Sequence, residues 1–194
     1  ILPESENQVW LREEGLSFVP SPGYPNTEKG AADWYRSVSG GLILSEALPG
    51  NFRAARKNGS LYADMLEIFN AGKTEIDLSD YFLSDDRKEP QKFQLPEVKL
   101  KAGGYYAFFC TEALDECHTG FKLSAGGERI YLSHKKQGIV DVLNVPPVTV
   151  DLSYGRKGGV PGYFAVPTLG KANDTLYSAV AERPVLSVPS RGDC

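Results

Sequence analysis

Short apolar runs separated by glycine and proline organise this chain. Leu42–Ala47, Asp64–Asn70, Tyr81–Ser84, Tyr105–Cys110, Arg129–Ser133, Ile139–Asn144 and Val148–Tyr154 are each rich in Leu, Ile, Val, Tyr or Phe, with a shorter run around Tyr163–Val166. Asn58-Gly59, Ala71-Gly72, Ser84-Asp85-Asp86, Ala102-Gly103-Gly104, Ala125-Gly126-Gly127 and Gly158-Gly159 stand between them. Runs and punctuation of this kind predict strands joined by turns. Helical periodicity is confined to Thr27–Val38, where a short helix is predicted.

Alternation within a run tells which face is buried, because successive strand residues point to opposite sides. In Asp64–Asn70, Leu66 and Ile68 share one face while Met65, Glu67 and Phe69 share the other. A strand apolar on both faces but for one carboxylate belongs at the centre of a sheet. Ile130 and Leu132 likewise face together. The pattern predicts an all-β sandwich of about seven to nine strands, with its core between two sheets about 10 Å apart.

One segment recurs. Val19-Pro20-Ser21-Pro22-Gly23-Tyr24-Pro25-Asn26 and Val166-Pro167-Thr168-Leu169-Gly170-Lys171-Ala172-Asn173 share the pattern V-P-x-x-G-x-x-N, and Gly15 and Phe18 have near counterparts in Gly162 and Phe164. An exit segment present at both ends predicts one whole module preceded by the last strand of another copy. A chance likeness of two Pro/Gly turns is the alternative. The expected division is 1–38, the closing segment of a preceding copy with a linker; 39–173, one complete module; and 174–194, a linker and the start of a following β module.

Composition narrows the class. The 194 residues are 41% hydrophobic and 24% charged, as expected of a soluble globular chain with one core. No apolar run approaches the roughly 18 residues of a spanning helix, so no membrane span is expected. A net charge of −4 and a pI near 5.3 oppose a phosphate-tracking surface, and no nucleic-acid partner is expected. Arg53-Ala54-Ala55-Arg56-Lys57 then reads as a solvated loop. Ile1 opens the sequence without a basic leader, so an export signal is expected to lie outside it. Cys110 and Cys117 are close enough in sequence for a strand end and its loop to form a disulfide, or else they are two free thiols. Cys194 is left over.

Chemistry-bearing constellations are scarce. His118 and His134 lack partners at metal-ligand spacing, and no G-x-S-x-G elbow occurs. Gly155-Arg156-Lys157-Gly158-Gly159 lacks the Ser or Thr and the helix of a phosphate loop, so it reads as a glycine turn. Asp77, Asp80, Asp85 and Asp86 suit either Asx-turns or a hard cation, and the turn reading is preferred; no metal and no cofactor are expected. Arg191-Gly192-Asp193 is too short to carry a meaning of its own. Glu46 and Glu67 each interrupt an apolar strand. They are expected to form a structural ion network with Arg156, with a general acid–base pair of a glycosidase or nuclease as the alternative.

Taken in order, several motifs resemble the bacterial branch of the lamin-tail domain, an immunoglobulin-like β-sandwich. They are Leu42-Ile43-Leu44-Ser45-Glu46, Asp64–Asn70 as the "WIELYN" strand, Ile76–Asp86 as the "DLSGWYLSDD" segment, Leu100–Tyr105, His118–Ser124 with Gly127-Glu128, Leu152–Arg156, and the Pro167–Asn173 exit. The resemblance spans Gly41–Asn173. Met65 replaces the usual aromatic, Asp80 stands where Gly is common, and Pro49–Leu61 resembles a polar insertion. Arg183–Ser190 is similar to the opening strand of a small β module that often precedes a spore-coat-type (CotH-like) kinase domain; a Pro-rich linker is the other reading.

What the resemblance implies is a non-catalytic binding or spacer module of a secreted or cell-surface bacterial protein. It would contact protein, glycan or envelope, as well as neighbouring domains of its parent. Trp34, Tyr35, Tyr62 and Tyr163 are the candidate contact aromatics.

Overall fold

The computed structural model describes residues 9–11, 15–17, 37, 40–54, 62–115 and 117–177. Their strands are β1 (Val9–Leu11), β2 (Gly15–Ser17), β3 (Leu42–Leu48), β4 (Asp64–Asn70), β5 (Ile76–Asp77), β6 (Tyr81–Ser84), β7 (Phe93–Gln94) and β8 (Lys99–Leu100). They continue with β9 (Tyr105–Cys110), β10 (Leu114–Asp115), β11 (His118–Thr119), β12 (Glu128–His134), β13 (Gly138–Val145), β14 (Ser153–Lys157) and β15 (Val160–Phe164). A 3₁₀ turn, Leu78–Asp80, leads into β6. Of the predicted helix at 27–38 only Ser37 lies among the described residues, and it is helical.

A seven-stranded sheet, in the order β10-β11-β9-β4-β3-β14-β15, faces a four-stranded one, β13-β12-β6-β7. Strand β4 sits in the middle of the larger sheet, as its two apolar faces require. Between the sheets, Leu42, Leu44, Leu66, Ile68 and Phe108 meet Leu83, Ile130, Leu132 and Leu143 in one buried cluster. Truncating any of these to Ala would cost about 2–5 kcal/mol, a large share of a domain's stability. The fold is the predicted all-β sandwich. The hairpin of β1 and β2 stands as a separate two-stranded sheet.

Strands β4, β6 and β9 span the runs predicted for them. The run Val148–Tyr154 does not form one strand: β14 begins at Ser153, and Asp151 takes a positive φ of 64°. Pro146 and Pro147 lack N–H donors for a ladder, and the Asp151 carboxylate instead caps the loop that follows β3. As a result Gly155-Arg156-Lys157, read from sequence as part of a turn, lies inside β14. The turn itself is Gly158-Gly159, whose φ values of 60° and 94° suit a two-residue hairpin loop. Pairing also runs beyond Asn173, because Tyr177 exchanges backbone hydrogen bonds with Tyr163.

Candidate functional site

The outer face of the seven-stranded sheet, turned away from the inter-sheet core, carries the two glutamates. Strand β3 has a bulge at Ser45, and that extra residue turns Glu46 outward while returning Ala47 to the core. Glu46 then lies directly across from Glu67, and both are fully buried.

Their cover is the exit segment that sequence analysis singled out as a repeat. The Thr168 N–H donates to both Glu46 oxygens at 3.2 and 3.1 Å, the Ser153 hydroxyl donates to Oε1, and the Gly170 N–H donates to Glu67 Oε2. Leu169 packs beside them on Leu48, Met65 and Phe109. Asn173 closes the segment, donating to the backbone oxygens of Ser45 and Arg156 at 3.2 and 2.8 Å. Gly155, opposite Glu46 on β14, makes this close approach possible, since a Cβ there would stand 2.3 Å from the Ser45 oxygen.

Burial governs the charge of this pair. Desolvation lifts Glu67 to a pKa of about 8 against the pull of the Gly170 N–H, and the facing Glu46 adds to the rise. Desolvation likewise raises Glu46 against its hydrogen bonds from Ser153 and Thr168. Ser45 lies close enough to Glu67 to favour its charge, yet Oε1 accepts no hydrogen bond of good geometry. Thr168 Oγ1 stands 2.9 Å from Glu46 Oε2 and 2.7 Å from Asn173 Oδ1. The threonine hydroxyl is shared between these two acceptors, and its bond to Oε2 favours the charged form of Glu46. With Glu67 lifted to about 8, the proton that the pair keeps at neutral pH belongs to Glu67.

The expected network of Glu46, Glu67 and Arg156 is not what forms. Tyr154 and Arg156 share the face of β14 opposite to Gly155, so Arg156 reaches toward the core. There its Nη1 pairs with Asp141 Oδ2 of β13 at 2.6 Å and donates to the Leu44 carbonyl, while Nη2 donates to the Val142 carbonyl. The same Asp141 oxygen accepts the Leu44 N–H at 2.8 Å. Sequence reasoning missed Asp141, although it is in phase with the core-facing Leu143 and Val145. It also missed Thr168, Gly170 and Asn173 as partners of the glutamates, although the exit motif contains them.

Beside the glutamates, Ile43, Phe69 and Tyr105 lie next to one another across β3, β4 and β9, with the Phe69 and Tyr105 rings stacked at 4.4 Å. They floor a cavity of about 300 Å³ walled by Lys157, Gly158 and Gly159 of the hairpin and by Ala172 and Asn173. A second, more open cavity of about 460 Å³ lies at a loop end of the sandwich, between Gly50, Asn51, Phe52, Tyr62, Lys122 and Val150. Asp64 Oδ1 accepts the N–H groups of Gly50 and Asn51, and Asp151 Oδ1 accepts those of Phe52, Arg53 and Ala54 at 2.8, 2.8 and 3.0 Å. The backbone N–H of Arg53, followed by those of Phe52 and Ala54, holds the Asp151 carboxyl below its usual range. On this braced segment Phe52 is 72% exposed, and across the cavity Val150 is 61% and Tyr62 39% exposed.

The other candidate residues are scattered. Trp34 and Tyr35 lie outside the described residues, as do the first copy of the exit motif, Arg183–Ser190, Arg191-Gly192-Asp193 and Cys194. Tyr163 is half-buried against Tyr154, with ring centroids 5.1 Å apart, and does not join Tyr62 at the loop-end cavity. No disulfide joins Cys110 to Cys117. Cys110 faces the inter-sheet core and Cys117 packs with Met65 and Phe109 on the outer face, so the sheet separates them. Asp77 caps the Ser79 N–H, Asp86 caps that of Lys88, Asp85 pairs with Lys92 and Asp80 with Lys135. Among the described residues, no group of three or more His, Cys, Asp or Glu side chains could hold a metal ion, and no helix is long and apolar enough to cross a membrane.

Comparison with known proteins gives one family. Its model, described as Lamin Tail Domain, matches residues 36–146, more than half of the chain. That match takes in β3 to β13 and leaves out β1, β2, β14, β15 and the exit segment. No curated protein and no solved structure matches.

Proposed function

Since this chain belongs to the lamin tail domain family, typically a non-catalytic module, we propose that it is a binding module of an exported or cell-surface bacterial protein, engaging a protein or glycan partner through the loop end of its sandwich. The observation that carries the reading is the braced segment with Phe52 exposed on it, facing exposed Val150 and Tyr62 around an open cavity. A loop already fixed by hydrogen bonds loses little entropy on binding, so exposed apolar groups on it become efficient anchors. The hairpin β1–β2 precedes the first V-P-x-x-G-x-x-N segment as β14–β15 precedes the second, which supports a preceding copy of the module.

The hydrolase reading has less support. Glu46 and Glu67 are sealed beneath Thr168 and Gly170, and an acid–base pair has to meet its substrate. The test is retention on an array of cell-envelope glycans and surface proteins, comparing the chain with Phe52→Ser/Val150→Ser. Retention that falls in the double variant, with thermal stability unchanged, supports the module. Glycan or nucleic-acid cleavage that Glu67→Gln abolishes without unfolding the chain would overturn it.

A further inference from the structure

The cavity beside the glutamates has a composition that the loop end lacks. Its floor is an apolar strip, Ile43, Phe69 and Tyr105, in which the two rings stack on each other with centroids 4.4 Å apart. Residues that carry donors edge it: Lys157, which follows Ser153 and Gly155 along the outer face of β14, Gly158 and Gly159 of the turn, and Tyr105. Lys157 is exposed, and no carboxylate pairs with it among the described residues. Such a positive edge on a chain of net charge −4 selects for anions. The volume, about 300 Å³, is at the small end of the range for ligand sites and leaves room for about one sugar ring.

We propose that this cavity is a subsite for an acidic sugar residue, a hexuronate, whose ring lies against Phe69 and Tyr105 while its carboxylate meets Lys157. An aromatic carboxylate would satisfy the floor and the ammonium but leave the turn N–H groups and the Tyr105 hydroxyl without acceptors. A neutral sugar would leave the ammonium unmatched. The ring hydroxyls and carboxylate of a hexuronate answer all of these groups. Ala172 and Asn173 form part of the wall, which ties the subsite to the exit segment and its repeat. The inference rests on the binding-module reading and is independent of the loop end.

The test is an amide NMR titration of the ¹⁵N-labelled chain with sodium D-glucuronate, D-glucose and sodium benzoate in turn. Glucuronate is expected to shift the Tyr105, Gly158 and Gly159 amides saturably, with glucose and benzoate weaker. Lys157→Gln should weaken glucuronate about fivefold, the size of one exposed ion pair. Tyr105→Leu should weaken both sugars, and Phe52→Ser neither. The proposal is overturned if glucuronate shifts no cavity amide, if glucose or benzoate binds as well, or if Lys157→Gln leaves glucuronate unaffected. Retention of an envelope partner lost in the Phe52→Ser/Val150→Ser variant would then still stand, separating failure of the subsite from failure of the module.

Discussion

Arg156 and Glu46 occupy neighbouring strands of one sheet, and both are buried, yet the chain accommodates the two groups by different means. On the core side Arg156 keeps its charge. An ion pair to Asp141 and two backbone carbonyls surround it, joining β14 to the edge strand β13 of the opposite sheet. On the outer side no cation among the described residues meets the facing glutamates; hydroxyls, backbone N–H groups and a retained proton hold them beneath the exit segment. The contrast separates two roles that the sequence had merged. One cluster fastens sheet to sheet, and the other fastens the exit segment to the sheet.

The largest effect should come from leaving one charge of the core pair alone. Asp141→Ala strands the Arg156 guanidinium in the interior and removes the acceptor of the Leu44 N–H, and a loss of about 3–5 kcal/mol is expected in urea unfolding. Replacing both partners with apolar residues should cost less than that single change, and an equal or greater loss would remove the ion pair from the account.

Next in size is the pH response of the outer pair. Glu67 has a folded pKa of about 8, above its unfolded value, so its contribution is complete in acid and drains away as pH rises from about 5 to about 8. Thermal or urea unfolding across that range should show stability falling by on the order of 3 kcal/mol. Glu67→Gln should flatten the profile, whereas a profile equally steep in the variant would assign the proton elsewhere.

A smaller loss is expected from Thr168→Val, which keeps the shape but removes the hydroxyl shared between Glu46 and Asn173. About 1–2 kcal/mol should disappear, with amide exchange rising selectively over 166–173. Uniform acceleration across both sheets would mean that the segment is not a separate latch. The smallest expectation is none at all: a reductant should leave the melting temperature unchanged, because Cys110 and Cys117 lie on different sides of the sheet. A drop in the Cys194→Ser variant would reveal a bond between them.

How much of this was legible follows the physics of each signal. Strands such as Asp64–Asn70 and Tyr105–Cys110 announce themselves through alternation and flanking glycines, and the apolar Met65 and Phe69 place β4 at the centre of its sheet. Two-residue strands such as β5 and β8 are too short to carry a period. The side on which Arg156 lies depends on where β14 begins, and that start is displaced to Ser153 by a loop whose Asp151 caps residues nearly a hundred positions away. Glu46 and Glu67 could be recognised as unusual, but the bulge that faces them to one another depends on strand pairing. The exit motif stood out as a repeat, and its task emerges only when Thr168 and Gly170 fold back onto β3 and β4.

Direct titration of the Glu67 side chain is the decisive measurement. Following its ¹³C carboxyl shift from pH 4 to pH 10 in the folded chain should give a midpoint near 8, as a sealed structural carboxyl requires. A midpoint in the ordinary range near 4.5 would mean that water reaches the pair, and it would contradict the account of a sealed, structural pair of glutamates.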